Sequence, residues 1–149
     1  IAERLKPAGY VTGQVGKWHL DLPAKGAGAK DRGALVAHMP PGQGFDEYWR
    51  GETGKFYASH DLQDKPFPDA PHLVEDRRFR VTVQTEAALG FLDRRQATPG
   101  QPWFLYLAFF TPHVPLESPE PWFARTPARL PKERRQALAM IAAMEMSMT

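Results

Sequence analysis

Apolar and polar positions along the chain alternate between two periods, and the switches between them mark out the elements. Ile1, Ala2 and Leu5 share one face of a helix end that Pro7 and Gly9 break. Tyr10 to Val15 is a short β-branched and aromatic run, closed by Gly16, that predicts a buried strand. From Asp21 to Pro41 the chain is rich in Gly, Ala, Lys and Pro with no sustained period, which predicts a long surface loop. Gly44 to Gly51 (GFDEYWRG) reads as a short turn or strand, and the stretch from there to Pro71 as further loop. Between Phe79 and Arg95, Val81, Thr85, Ala88, Leu89 and Leu92 fall on one face of a helix that Pro99 and Gly100 end. Trp103 to Phe110 (WFLYLAFF) is continuously apolar, the pattern of a parallel-sheet strand buried on both faces, and Pro112 and Pro115 terminate it. Leu138, Ile141, Ala142, Glu145 and Met148 then recur at helical spacing, and Met140, Met144 and Met146 on the same segment read as packing residues.

Helix, strand, loop, helix, strand, loop, helix implies an α/β layer architecture with parallel strands. In open α/β sheets the loops at the carboxyl ends of the strands share a crevice. The first strand runs into Gly16-Lys17-Trp18-His19 and the second into Thr111-Pro112-His113-Val114-Pro115, so each delivers a histidine to that edge. Lys17 brings three donors and a positive charge, and His19 can donate, accept or carry a proton near neutral pH. In an extended segment Lys17 and His19 point to one side and Trp18 to the other. Pro112 and Pro115 limit the backbone around His113. Together the three side chains suit an anion. A solvated turn is the plainer reading of Lys-x-His, and a hydrogen-bonded strand end that of His113. His38, His60 and His72 read as surface residues.

Composition narrows the chemistry. The 149 residues contain no cysteine, which removes disulfides, thiolate metal sites and a cysteine nucleophile from this stretch. A net charge of +2 without a run of like charges gives no nucleic-acid footprint. No apolar run reaches the ~18 residues of a membrane span. Aspartates are scattered without calcium-loop spacing, so no metal site is expected here. Phosphate-loop, dinucleotide and serine-elbow motifs are absent.

Gly9 to Leu20 (GYVTGQVGKWHL) closely resembles the second signature of the type I sulfatases, the formylglycine-dependent arm of the alkaline phosphatase-like superfamily. Gly44 to Trp49 (GFDEYW), the helix Thr82 to Asp93, and Gln101 to Trp122 (QPWFLYLAFFTPHVPLESPEPW) resemble later features of that family, in the same order. The resemblance implies part of an alkaline phosphatase-like sandwich, with a mostly parallel central sheet flanked by helices. It implies hydrolysis of sulfate esters by the gem-diol of a formylglycine, made from the cysteine or serine of a C/S-x-P-x-R motif, with calcium held by Asp and Asn. Lys17 would bind the sulfate and a formylglycine oxygen. His19 would bond the formylglycine hydroxyl and act as the base that regenerates the aldehyde. His113 would bind sulfate near the bridging oxygen and assist the leaving alcohol.

No C/S-x-P-x-R motif occurs, and the only serines are Ser59, Ser118 and Ser147. Nucleophile and calcium ligands are therefore expected outside residues 1–149, which read as an internal portion of one catalytic domain, inactive alone. Asp21 stands where the family commonly has glycine, and Pro7 where a helix former is usual. The expected substrate is a sulfated small molecule or glycan and the expected location periplasmic or secreted. A phosphodiester or phosphonate monoester hydrolase of the same superfamily, or a non-catalytic sulfated-glycan-binding remnant, are the alternatives.

Overall fold

A computed structural model describes residues 1–20 and 36–147. The first helical turn, α1 (Ala2–Leu5), tightens into a 3-10 turn at Lys6–Ala8 that accommodates Pro7 near its start. Strand β1 (Val11–Gly16) follows. Most of the loop read at 21–41, Asp21 included, lies outside the described residues, as does Met148; the loop's far end is helical at 36–38 and leads into a 3-10 turn at Pro40–Gln43. The remaining strands are β2 (Glu47–Gly51), β3 (Gly54–Ala58), β4 (His72–Asp76) and β5 (Trp103–Ala108). The longer helices are α2 (Arg80–Gln96) and α4 (Lys132–Met146), with one turn, α3 (Glu120–Phe123), between β5 and α4.

The sheet order is β4-β3-β2-β1-β5. β1 pairs in parallel with β2 and β5, while β3 is antiparallel to both its neighbours, so only β3 runs against the rest. This is the mixed α/β, mostly parallel sheet that the sequence predicts. The carboxyl ends of β1, β2 and β5 consequently lie along one edge, with Gly16 in register with both Arg50 and Ala108.

Four sequence expectations change. β3 occupies part of the stretch read as loop, because the β3–β4 ribbon is specified across its strands and not by a local apolar run. Lys55 lies opposite Glu75 with 3.4 Å between their charges, and Phe56 opposite Val74. α2 is rotated relative to its expected face: Val83, Gln84, Ala87 and Phe91 are buried with Val81 and Ala88, whereas Leu89 is 51% exposed. Gly13 explains this, since a β-carbon there would come within 2.6 Å of the Phe91 ring, and the missing side chain lets that ring seat on β1. β5 is the edge strand among the described residues, and Trp103 and Tyr106 are half-exposed instead of buried. On α4 the covered stripe is Ala139, Met140 and Ala143, while Leu138, Ile141 and Met146 stay exposed.

One core lies between the sheet and α2, where Val15, Trp49, Phe56 and Ala58 pack against Val83, Ala87 and Ala88. A second lies on the opposite face, where Ala2, Trp18 and Phe45 meet Phe104. Burying each of the valine and phenylalanine side chains stabilises the fold by about 1.5–3 kcal/mol.

A polar staple joins β1 to the start of β2. The Thr12 N–H and hydroxyl both donate to Asp46 Oδ2, at 3.0 and 2.9 Å, and the Lys6 ammonium lies 2.6 Å from Oδ1. Burial pushes the Asp46 carboxyl up, but the Lys6 and Thr12 bonds outweigh it and hold it below 3.8. The folded chain therefore binds this proton less tightly than the unfolded one, and the stabilisation is complete above about pH 4 and lost as the pH falls further. Asp46→Asn should lower stability by about 2 kcal/mol at neutral pH and flatten the acid limb of a urea-midpoint profile. An unchanged acid limb would remove Asp46 as its source.

Candidate functional site

The carboxyl edge of the sheet is held together by contacts that fix where Lys17 sits. Gly16 has φ +98, and its close approach to β5 would put a β-carbon 2.0 Å from the Ala108 carbonyl oxygen. The Lys17 N–H then donates to that oxygen at 2.7 Å. Beneath the turn, the buried Gln14 side chain donates through Nε2 to the Gly16 carbonyl at 3.1 Å. Gln84 on α2 joins two strand ends by donating to Gly51 O and accepting from the Phe110 N–H, each at 3.3 Å. Trp18 is buried, stacks edge-on against Phe45, and donates its indole N–H to His38 O at 2.7 Å.

Phe110, just beyond β5, is the hub. Its ring is buried, with Lys17 Nζ 5.0 Å from its centroid. The His113 imidazole stacks on it at 4.5 Å and an interplanar angle of 27°. His113 Nδ1 lies 2.9 Å from Val114 O. A carbonyl oxygen only accepts, so Nδ1 carries the hydrogen of that bond and Nε2 is left to face a ligand. Two of the three residues read from sequence, Lys17 and His113, thus converge on one aromatic ring. His19 follows Lys17 by two residues and is exposed, but its φ of +53 ends the extended run assumed for this segment. The strict same-side alternation of Lys17 and His19 does not hold.

The sequence reading missed the groups behind these residues. Arg80, Gln84 and Phe91 share the buried face of α2, and an arginine set between the apolar Phe79 and Val81 was the available signal. His60, read as a surface residue, is half-buried beside Ser59 Oγ at 3.0 Å, and burial and then Arg94 lower its pKa below 6.5. It lines a space of about 20 Å³ between the sheet and α2 with Glu47 and Arg94, room for about one water and no substrate.

Calcium and formylglycine, which the resemblance implies, find no home among the described residues. No group of three or more His, Asp or Glu side chains there could hold a metal ion. Cysteine is absent, and the buried Ser59 oxygen accepts from Tyr48 N–H at 2.9 Å. What this edge offers is charge and hydrogen-bond donors suited to an oxyanion.

The sulfatase family profile matches residues 1–145. The chain belongs to the sulfatase family. It is 35% identical over 133 residues to an arylsulfatase of Hemicentrotus pulcherrimus, covering 79% of this chain and 22% of that protein. It is 33% identical over 132 residues to an arylsulfatase of Klebsiella aerogenes, covering 84% and 26%. The chain therefore spans about a quarter of the length of these relatives. Its fold matches the crystal structure of Ps i-CgsB in complex with k-i-k-neocarrahexaose with a TM-score of 0.69 and 25% identity, over 98% of this chain and 34% of that one.

Proposed function

We propose that Lys17, His19 and His113 form one cationic wall of a sulfatase active site, and that the complete protein hydrolyses sulfate esters. The observation that carries this is the convergence of the Lys17 ammonium and the His113 imidazole on Phe110 at the carboxyl edge of the sheet, within a sulfatase-family chain. Lys17 neutralises charge on the non-bridging sulfate oxygens. His113 presents Nε2 to the bridging oxygen and steadies the departing alcohol. His19, exposed at the mouth of the edge, supplies the general base of the reaction. Calcium and formylglycine are typical of the family.

Sulfated glycans are the substrate class we favour, supported by the carrageenan-type oligosaccharide named with the structural neighbour. The same family reading supports a periplasmic or secreted location. Purified complete protein should turn over para-nitrophenyl sulfate with kcat/KM at least about tenfold above para-nitrophenyl phosphate and the corresponding phosphodiester. A preference for either phosphate ester would move the assignment to phosphoryl chemistry. Binding of a sulfated glycan with no turnover of any ester would leave a carbohydrate-binding remnant.

A further inference from the structure

We infer that Arg80 is the positioning residue of His113, acting on the reaction through the imidazole without touching substrate. The inference rests on the site reading above, and four contacts support it. Arg80 is 1% exposed, at the first turn of α2. Its guanidinium donates to His113 O at 3.3 Å and to Pro115 O at 2.6 Å. It pairs with Glu117 Oε1 at 3.1 Å, and it lies 5.0 Å from the centroid of Phe110, the ring on which His113 stacks.

Carbonyls 113, 114 and 115 are thus all engaged, the outer two by Arg80 and the middle one by the imidazole itself. The plane of His113 is set by Phe110 beside it and by the backbone segment to which Nδ1 is bonded. Arg80 holds both. An arginine suits the task because its rigid fork reaches two carbonyls and a carboxylate together, which a lysine ammonium on a flexible stem cannot do. Glu117 balances the charge from the solvent side, its carboxylate being half-exposed. Lys17, on the same ring, is then left to act on the anion. The sequence carries the logic in scattered form: Arg80 and Glu117 are 37 positions apart, and only the fold makes them neighbours of His113.

The test is a double-mutant cycle in the complete protein, read as kcat/KM for an aryl sulfate. Arg80→Lys alone should lower kcat/KM by about ten- to a hundredfold, mostly in kcat, and His113→Ala alone by at least as much. In the His113→Ala background, Arg80→Lys should cost less than about twofold, because a positioning residue has nothing left to position. A structural role would instead multiply the two losses, and that result overturns the inference while leaving the site reading standing. Near-normal turnover by His113→Ala overturns both. Glu117→Gln, which keeps an acceptor for Arg80 and removes only the charge, guards against misfolding of the Arg80 variant. It should show a smaller loss with the same dependence on His113, and a loss that persists unchanged without His113 counts against the inference.

Discussion

Lys17→Ala in the complete protein is expected to lower kcat/KM for sulfate esters by about a hundred- to a thousandfold, with thermal unfolding close to unchanged. The size follows from charge. An ammonium about 4 Å from one unit of negative charge at a partly buried protein edge is worth about 4 kcal/mol, which corresponds to about three decades in rate if it acts only in the transition state. Lys17 is half-buried, so its field is less screened than that of a free surface lysine. The fold loses little, because the contact seen for Nζ is with the Phe110 ring at 5.0 Å, worth about 0.5–1 kcal/mol. Lys17→Arg should recover only part of the rate: the charge returns, but a planar fork replaces a point charge over a ring already bordered by Arg80. Steady-state kinetics beside calorimetry checks this. Turnover by Lys17→Ala within about threefold of the parent would remove Lys17 from the anion site.

Lys17 and His113 were legible in the sequence because strand ends in parallel sheets are a strong geometric constraint. Once β1 and β5 are read as parallel neighbours, the residues after Gly16 and Ala108 must share an edge. The groups that give those side chains direction were not legible. Phe110 looks like the last residue of a strand, and Arg80 like one of several arginines before a helix. Their roles depend on contacts across more than thirty positions, such as Arg80 with His113 and Pro115. The face of α2 was misjudged for a related reason. The apolar stripe alone favours Leu89, but the recess at Gly13 favours Phe91, and the recess belongs to another element. β3 escaped because a ribbon paired through Lys55–Glu75 and Phe56–Val74 carries its specificity across strands, where a single-segment pattern has little to show.

Among single changes that alter none of the proposed active-site residues themselves, Gly16→Ala should be the most damaging to the fold. Two effects combine. Gly16 holds φ +98, a conformation that costs an alanine about 1–3 kcal/mol. The added β-carbon would also lie 2.0 Å from Ala108 O and 2.7 Å from Ala108 C, both backbone atoms at the end of β5, so no side-chain rotation relieves the overlap. The strands must part. That breaks the 2.7 Å bond from Lys17 N–H to Ala108 O and carries Lys17 away from Phe110 and His113. Loss of about 3 kcal/mol or more, together with loss of turnover, is the expected result. Gly9→Ala supplies the control, because Gly9 has φ +86 but nothing within 4 Å of the position a β-carbon would take. It bears the conformational cost without the collision, and denaturant unfolding should place it clearly closer to the parent. If the two variants lose the same stability, the positive φ alone accounts for Gly16, and the close approach of β1 to β5 is not what sets Lys17 at the edge.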